Sequence, residues 1–113
     1  MIQTRAYLKS IRLSPIKAGL VADAVRGKHV QEALDFLTFS KKKASAIVKK
    51  LLESAIANAE HNDKADIDTL FVKSIIVNQG MRLKRMKARA RGRADRIIKP
   101  TCHIEITLEG KEQ

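Results

Sequence analysis

Nine basic side chains crowd the stretch from Met81 to Pro100: Arg82, Lys84, Arg85, Lys87, Arg89, Arg91, Arg93, Arg96 and Lys99. Asp95 is the only acid among them, so the segment carries a net charge of +8 against +11 for the whole chain. Guanidinium groups outnumber ammonium groups six to three. Arginine makes forked hydrogen bonds to phosphate and stacks on bases, so the chemistry on offer is polyanion recognition. Between Lys87 and Arg93 small residues alternate with basic ones (Ala88, Ala90, Gly92), which lets a backbone approach a nucleic-acid surface closely. The run has little apolar surface and repels itself, so it takes its shape from counter-charge.

Other reactive side chains are sparse. His29, His61 and His103 lie far apart, and none stands at metal-ligand spacing from another histidine or from Cys102. A surface role is expected of each. Cys102 falls on the apolar parity of its segment and reads as a small buried thiol. Asp63, Asp66 and Asp68 lack the spacing of a calcium loop and read as a turn. No phosphate-cradling glycine loop occurs, because Gly80 and Gly92 are isolated. No catalytic residue, metal site or cofactor is expected. Two smaller basic groups remain: Arg5, Lys9, Arg12 and Lys17, and the triplet Lys41, Lys42, Lys43. The triplet opens a helix, where the dipole disfavours cations, and hints at an external anion.

The elements that must hold the basic run are legible on both sides of it. Leu70–Gln79 is rich in β-branched residues. Beyond the run Ile98, Cys102, Ile104, Ile106 and Leu108 alternate with Lys99, Thr101, His103, Glu105 and Thr107, the period of a half-buried strand. A plain charge run usually forms a solvated loop; here strands pin both ends, and a long β-hairpin is expected to project its outer half off the domain. Gly80 and Gly92 would give backbone freedom near its base and tip.

Upstream, Ile2–Ile11 alternates as a first strand. Ser14 and Pro15 open a first helix as N-cap and first helical residue, with Ile16, Leu20, Val21 and Ala24 on its apolar face and Gly27 ending it. A second helix covers about Val30–Leu37, with Val30, Ala33, Leu34 and Leu37 inward. A third runs from Lys41, capped by Ser40, to about Glu60. Its stripe of Ala44, Ile47, Val48, Leu51, Leu52, Ala55, Ile56 and Ala59 makes it the centre of the core. His61–Asp68 is a polar connection.

These elements predict an α+β fold: three helices on one face of a small three-stranded antiparallel sheet, with a long protruding basic β-hairpin. The chain's 113 residues fit a single domain spanning 1–113, with its arm at about 80–100. The core must be aliphatic, because aromatics are 4% and Trp is absent. A pI near 10.2 demands an acidic partner, nucleic acid or anionic membrane. One cysteine excludes an internal disulfide and fits a reducing compartment. The N-terminal stretch is broken by charge and is no signal peptide, and no apolar run approaches the ~20 residues of a bilayer span, so a cytoplasmic location is expected.

Arg12-Leu13-Ser14-Pro15-Ile16-Lys17, the Ala-rich third helix, Lys84-Arg85 and the run Arg89-Ala90-Arg91-Gly92-Arg93-Ala94-Asp95-Arg96-Ile97 resemble the bacterial ribosomal large-subunit protein twenty-two family, over about Ile2 to Leu108. The resemblance implies a structural constituent of the large subunit, not an enzyme, that binds large-subunit rRNA and supports early assembly. It implies that Arg82 to Lys99 form the RNA-contacting arm. It implies a tip of Lys87, Ala88, Arg89, Ala90 and Arg91 that lines the nascent-polypeptide exit tunnel, in the region where macrolides bind. Arg12, Ser14 and Lys17 would be RNA contacts of the domain. Its partners would be rRNA, neighbouring ribosomal proteins and the nascent peptide, with no membrane and no homo-oligomer. Ala88 stands where many members carry proline. Against this stand a free-standing regulator with a β-ribbon arm, a cationic membrane-surface protein and, last, an enzyme. The third helix lacks the aromatic anchors the membrane reading needs.

Overall fold

The structure is a computed structural model; it describes the backbone of residues 1–80, 83–88, 94–99 and 101–112, and the side chains of 1–80 and 101–112. Strand β1 (Ile2–Ile11) leads into helices α1 (Pro15–Val25), α2 (Val30–Phe39) and α3 (Lys43–His61). A 3-10 turn (Ile67–Thr69) precedes β2 (Phe71–Gln79), then come β3 (Leu83–Ala88), β4 (Ala94–Lys99) and β5 (Cys102–Gly110). The main sheet is antiparallel in the order β1-β5-β2, and β3 and β4 form a separate two-stranded ladder. This is the expected α+β layer. The last strand in sequence takes the middle of the sheet, which is why its apolar parity is the most deeply covered: Cys102, Ile104, Ile106 and Leu108 are all buried.

Helix α3 packs on β1 and β5 and against both other helices. Ala44, Val48, Leu51, Leu52, Ala55 and Ala59 are buried, with Ile47 and Ile56 half-buried beside them. The sequence stripe is therefore the buried face, flanked by Ser45, which is also buried. Leu52 and Val48 at 0% exposure sit at its centre, so the hydrophobic term is concentrated there.

Three local expectations are corrected. First, α1 buries Ala18, Val21, Ala22 and Val25, not the row through Ile16 and Leu20, which are 77% and 60% exposed. The helix is apolar on two sides, and spacing alone cannot choose between them. The small Ala18 and Ala22 allow close approach, and the helix packs that side on its neighbours. Second, Ser40 ends α2 rather than starting α3: its N–H bonds the Phe36 carbonyl at 3.1 Å, and its hydroxyl accepts from Ser45 at 2.7 Å. Lys42 holds the N-cap position of α3 and makes no side-chain cap bond there. Third, Gly80 does not have a positive φ; that backbone freedom is used at Gly27 (φ 82°), the residue that ends α1 as expected. Gly80 has a different reason to be glycine. A Cβ there would lie 2.6 Å from Thr101 Oγ1 and 3.2 Å from His103 Nε2, so the strands meet closely at this point.

Both outer strands have managed edges. The segment after α1 pairs with β2: Gly27 N–H bonds the Val72 carbonyl at 2.9 Å, and Val72 N–H bonds the Lys28 carbonyl at 2.9 Å. Arg26 adds a bond from its guanidinium to the Ile75 carbonyl at 2.8 Å. Such cover removes donors and acceptors that would otherwise template another strand. On β1 the register shifts between Leu8 and Ile11, and Ser10 sits at φ 56°, a bulge that re-aims the strand end.

Candidate nucleic-acid interface

In chain order the basic run lies between β2 and β5, the strands paired in the main sheet. In the main sheet Gln79 pairs with Cys102; in the second ladder Leu83 pairs with Lys99 and Ala88 with Ala94. The first link beyond the main sheet is the Gly80 N–H to the Thr101 carbonyl, 2.8 Å. The hairpin expected from the flanking strands is therefore present, and its outer part is the ladder that carries the charge.

Of the arm's expected contact residues, Lys84, Arg85 and Lys87 lie on β3, and Arg96 and Lys99 on β4. Lys87 is opposite Asp95 in the register, Arg85 opposite Ile97 and Leu83 opposite Lys99. Arg82, Arg89, Arg91 and Arg93 lie outside the described residues, as do Ala90 of the expected tip and Gly92. Lys87 and Ala88 of the tip close β3.

The arm's root is built by histidine. His103 Nδ1 accepts the Ser10 N–H at 2.9 Å, so one ring ties the β1 bulge to β5 where the arm begins, and its other edge faces Gly80. His29 is structural too. Its Nδ1 accepts the Gln31 N–H at 3.1 Å, capping α2, and its Nε2 donates to the Asp68 carbonyl at 2.8 Å. All three keep solvent exposure, as a surface role requires, and His29 and His103 also hold long-range partners that spacing cannot reveal. Cys102 is fully buried, and burial pushes its thiol above the usual range, the reverse of what a nucleophile needs. Asp66 accepts the Asp68 N–H at 3.1 Å and Asp63 accepts the Thr4 hydroxyl at 2.6 Å, so two of the three acids do turn and tether work.

On the domain, Arg12 and Lys17 are exposed and Ser14 is half-buried. Ser14 stands at the N-cap of α1 as expected but makes no side-chain cap bond. Arg5 is 3.9 Å from Glu105 and Lys73 is 3.9 Å from Glu109 across the sheet. Lys9, Arg12, Lys17, Lys41, Lys42 and Lys43 enter no ion pair among the described residues. The fold brings two of the sequence's separate basic groups together: Lys17 lines the same surface hollow as Lys42 and Lys43, with Leu13 and Leu20 between them. No helix among the described residues is long and apolar enough to cross a membrane.

A charged ladder beyond the core, rooted in a small aliphatic domain, is a nucleic-acid-binding shape. Residues 6–109 match the family described as Ribosomal protein L22p/L17e. The chain belongs to that family. It is a structural ribosomal protein that binds rRNA, a component of the large subunit in the cytoplasm with a part in translation. Family membership decides between the ribosomal reading and the free-standing regulator, which share the same arm. The family is structural rather than enzymatic.

Proposed function

We propose that the arm of this L22-family chain is its main rRNA contact, through Arg82, Lys84, Arg85, Lys87, Arg89, Arg91, Arg93, Arg96 and Lys99. Arg12, Ser14 and Lys17 are secondary contacts from the domain, and residues 1–113 act as one RNA-binding domain. The tip, Lys87 to Arg91, lines the nascent-polypeptide exit tunnel, and RNA held along the arm supports subunit assembly. Its partners are rRNA, neighbouring ribosomal proteins and the nascent peptide; it takes its place as a single copy.

The observation that supports this reading is the ladder's position. β3 and β4 pair with each other from Leu83–Lys99 to Ala88–Ala94 in the stretch between β2 and β5, and basic residues occupy both parities of their strands. Neither parity is apolar enough to serve as a core face, so a ladder of this composition is best stabilised by polyanion around it. No group in Lys87–Arg91 acts as a general base near neutral pH, because arginine stays protonated and lysine ordinarily does too. The tip therefore acts by position.

Deleting 82–99 tests the arm: the domain should fold, while sedimentation with large subunits in high salt should be lost. An undiminished association would assign binding to the domain surface. Inserting two residues beside Ala88 tests the tip. Strand residues advance ~3.3 Å each, so the tip should move by several ångströms. Macrolide susceptibility should then change while peptidyl transfer on purified ribosomes does not. Lost peptidyl transfer with unchanged drug response contradicts the tunnel-wall placement.

A further inference from the structure

The row that α1 withholds from the core opens onto a trough. Leu20 is 60% exposed, Phe39 83% and Phe36 39%. With Val21 and Ala24 they line a surface hollow of about 450 Å³ that ends at Ser40, Lys42 and Ser45. A second hollow, about 420 Å³, adjoins it and shares Leu20 and Lys42. Ile16, one turn before Leu20 on α1, extends the apolar rim at 77% exposure. Several large apolar side chains exposed together on a small basic domain mark an interaction surface.

The charge around the trough selects its occupant. Lys42 stands at one end, and Lys28 lies at another edge with its ammonium 5.1 Å from the Phe36 ring. Neither enters an ion pair among the described residues. Lys43 borders the second hollow beside Lys42. A second copy of this chain, at net +11, would bring like charge to these lysines. RNA would need phosphate-neutralising groups along the trough, yet its walls are aliphatic and aromatic with lysine only at the margins. An amphipathic helix from a neighbouring protein meets both requirements. Apolar residues at i, i+3/i+4 and i+7 fill the two hollows, and flanking carboxylates meet the lysines.

We propose that the Leu20–Phe36–Phe39 trough docks an acidic, amphipathic helical segment of a neighbouring large-subunit protein. The inference takes the ribosomal placement as given and is independent of the arm.

The test uses assembled large subunits carrying Phe39→p-benzoylphenylalanine, irradiated and digested for mass spectrometry. The expected product is a crosslink to a polypeptide segment with carboxylates beside apolar residues, its yield reduced at least fivefold by Lys42→Glu or by Leu20→Ser. All three positions are exposed, so the variants should fold, and incorporation into subunits, which the arm would govern, should be unchanged. A crosslink to RNA, to a second copy of the chain or to nothing overturns the proposal. So does a polypeptide crosslink indifferent to both substitutions. Failure of the unsubstituted protein to sediment with large subunits would instead count against the placement.

Discussion

Gly80→Ala is the substitution with the most informative consequence. The added Cβ would lie 2.6 Å from Thr101 Oγ1, where ordinary contact begins at 3.4 Å, so roughly 0.8 Å must be found. Thr101 is 4% exposed, so its side chain has little room to turn. The ring of His103, next nearest at 3.2 Å, is held from its other edge by Ser10. Overpacking of this kind costs about 1–3 kcal/mol, which for a domain of this size lowers the melting temperature by about 4 °C or more. The strain falls where the arm leaves the sheet. Ala88 is eight residues further on, a reach of up to about 26 Å, so each 5° of tilt at the root would displace it by about 2 Å. Both domain stability and rRNA affinity should therefore fall. The control is a double-mutant cycle. Thr101→Ala deletes the obstructing hydroxyl, so the pair should be more stable than the sum of the two losses predicts, by at least about 0.5 kcal/mol. Thermal melts of the four proteins read this directly. Additive losses, or an unshifted midpoint for Gly80→Ala, would refute close approach as the reason for glycine at this position.

Leu52→Ala should cost about 2–5 kcal/mol, since Leu52 is fully buried at the middle of α3; an unchanged melt would remove α3 from the centre of the core. If nine basic residues of the arm meet nine phosphates, log affinity for rRNA should fall with log salt at a slope of roughly −6 to −8. Deleting 82–99 should flatten most of that slope, and filter binding across a salt series will show whether it does. The buried Cys102 thiol should resist maleimide until the domain unfolds. Desolvation by burial raises its folded-state pKa above that of an ordinary thiol, so the unfolded chain loses the proton first. Stability should be unaffected by this group below pH 9.0 and fall above it, and Cys102→Ala should diminish that alkaline loss.

Much of the architecture was readable because period and position carry it. β5 alternates over its whole length, α3 holds one wide stripe through five turns, and Pro15 and Gly27 bound α1 as their backbone preferences require. The arm was the clearest signal of all, since no burial argument competes with nine basic residues in a run. What composition could not decide was which partner each residue finds across the chain. Ile16 and Leu20 have the spacing of a core face, yet the packing uses Ala18 and Ala22, because the sheet and α3 approach that side. Ser40 has the chemistry of an N-cap, but the turn from α2 uses its backbone first. His103 reads as a polar-parity surface residue, and only the bulge at Ser10, ninety-three residues away, makes it the latch at the arm's root. Periodicity is a property of neighbouring residues and survives in the sequence alone. Contacts between distant segments depend on how the layers come together, and only the tertiary structure decides them.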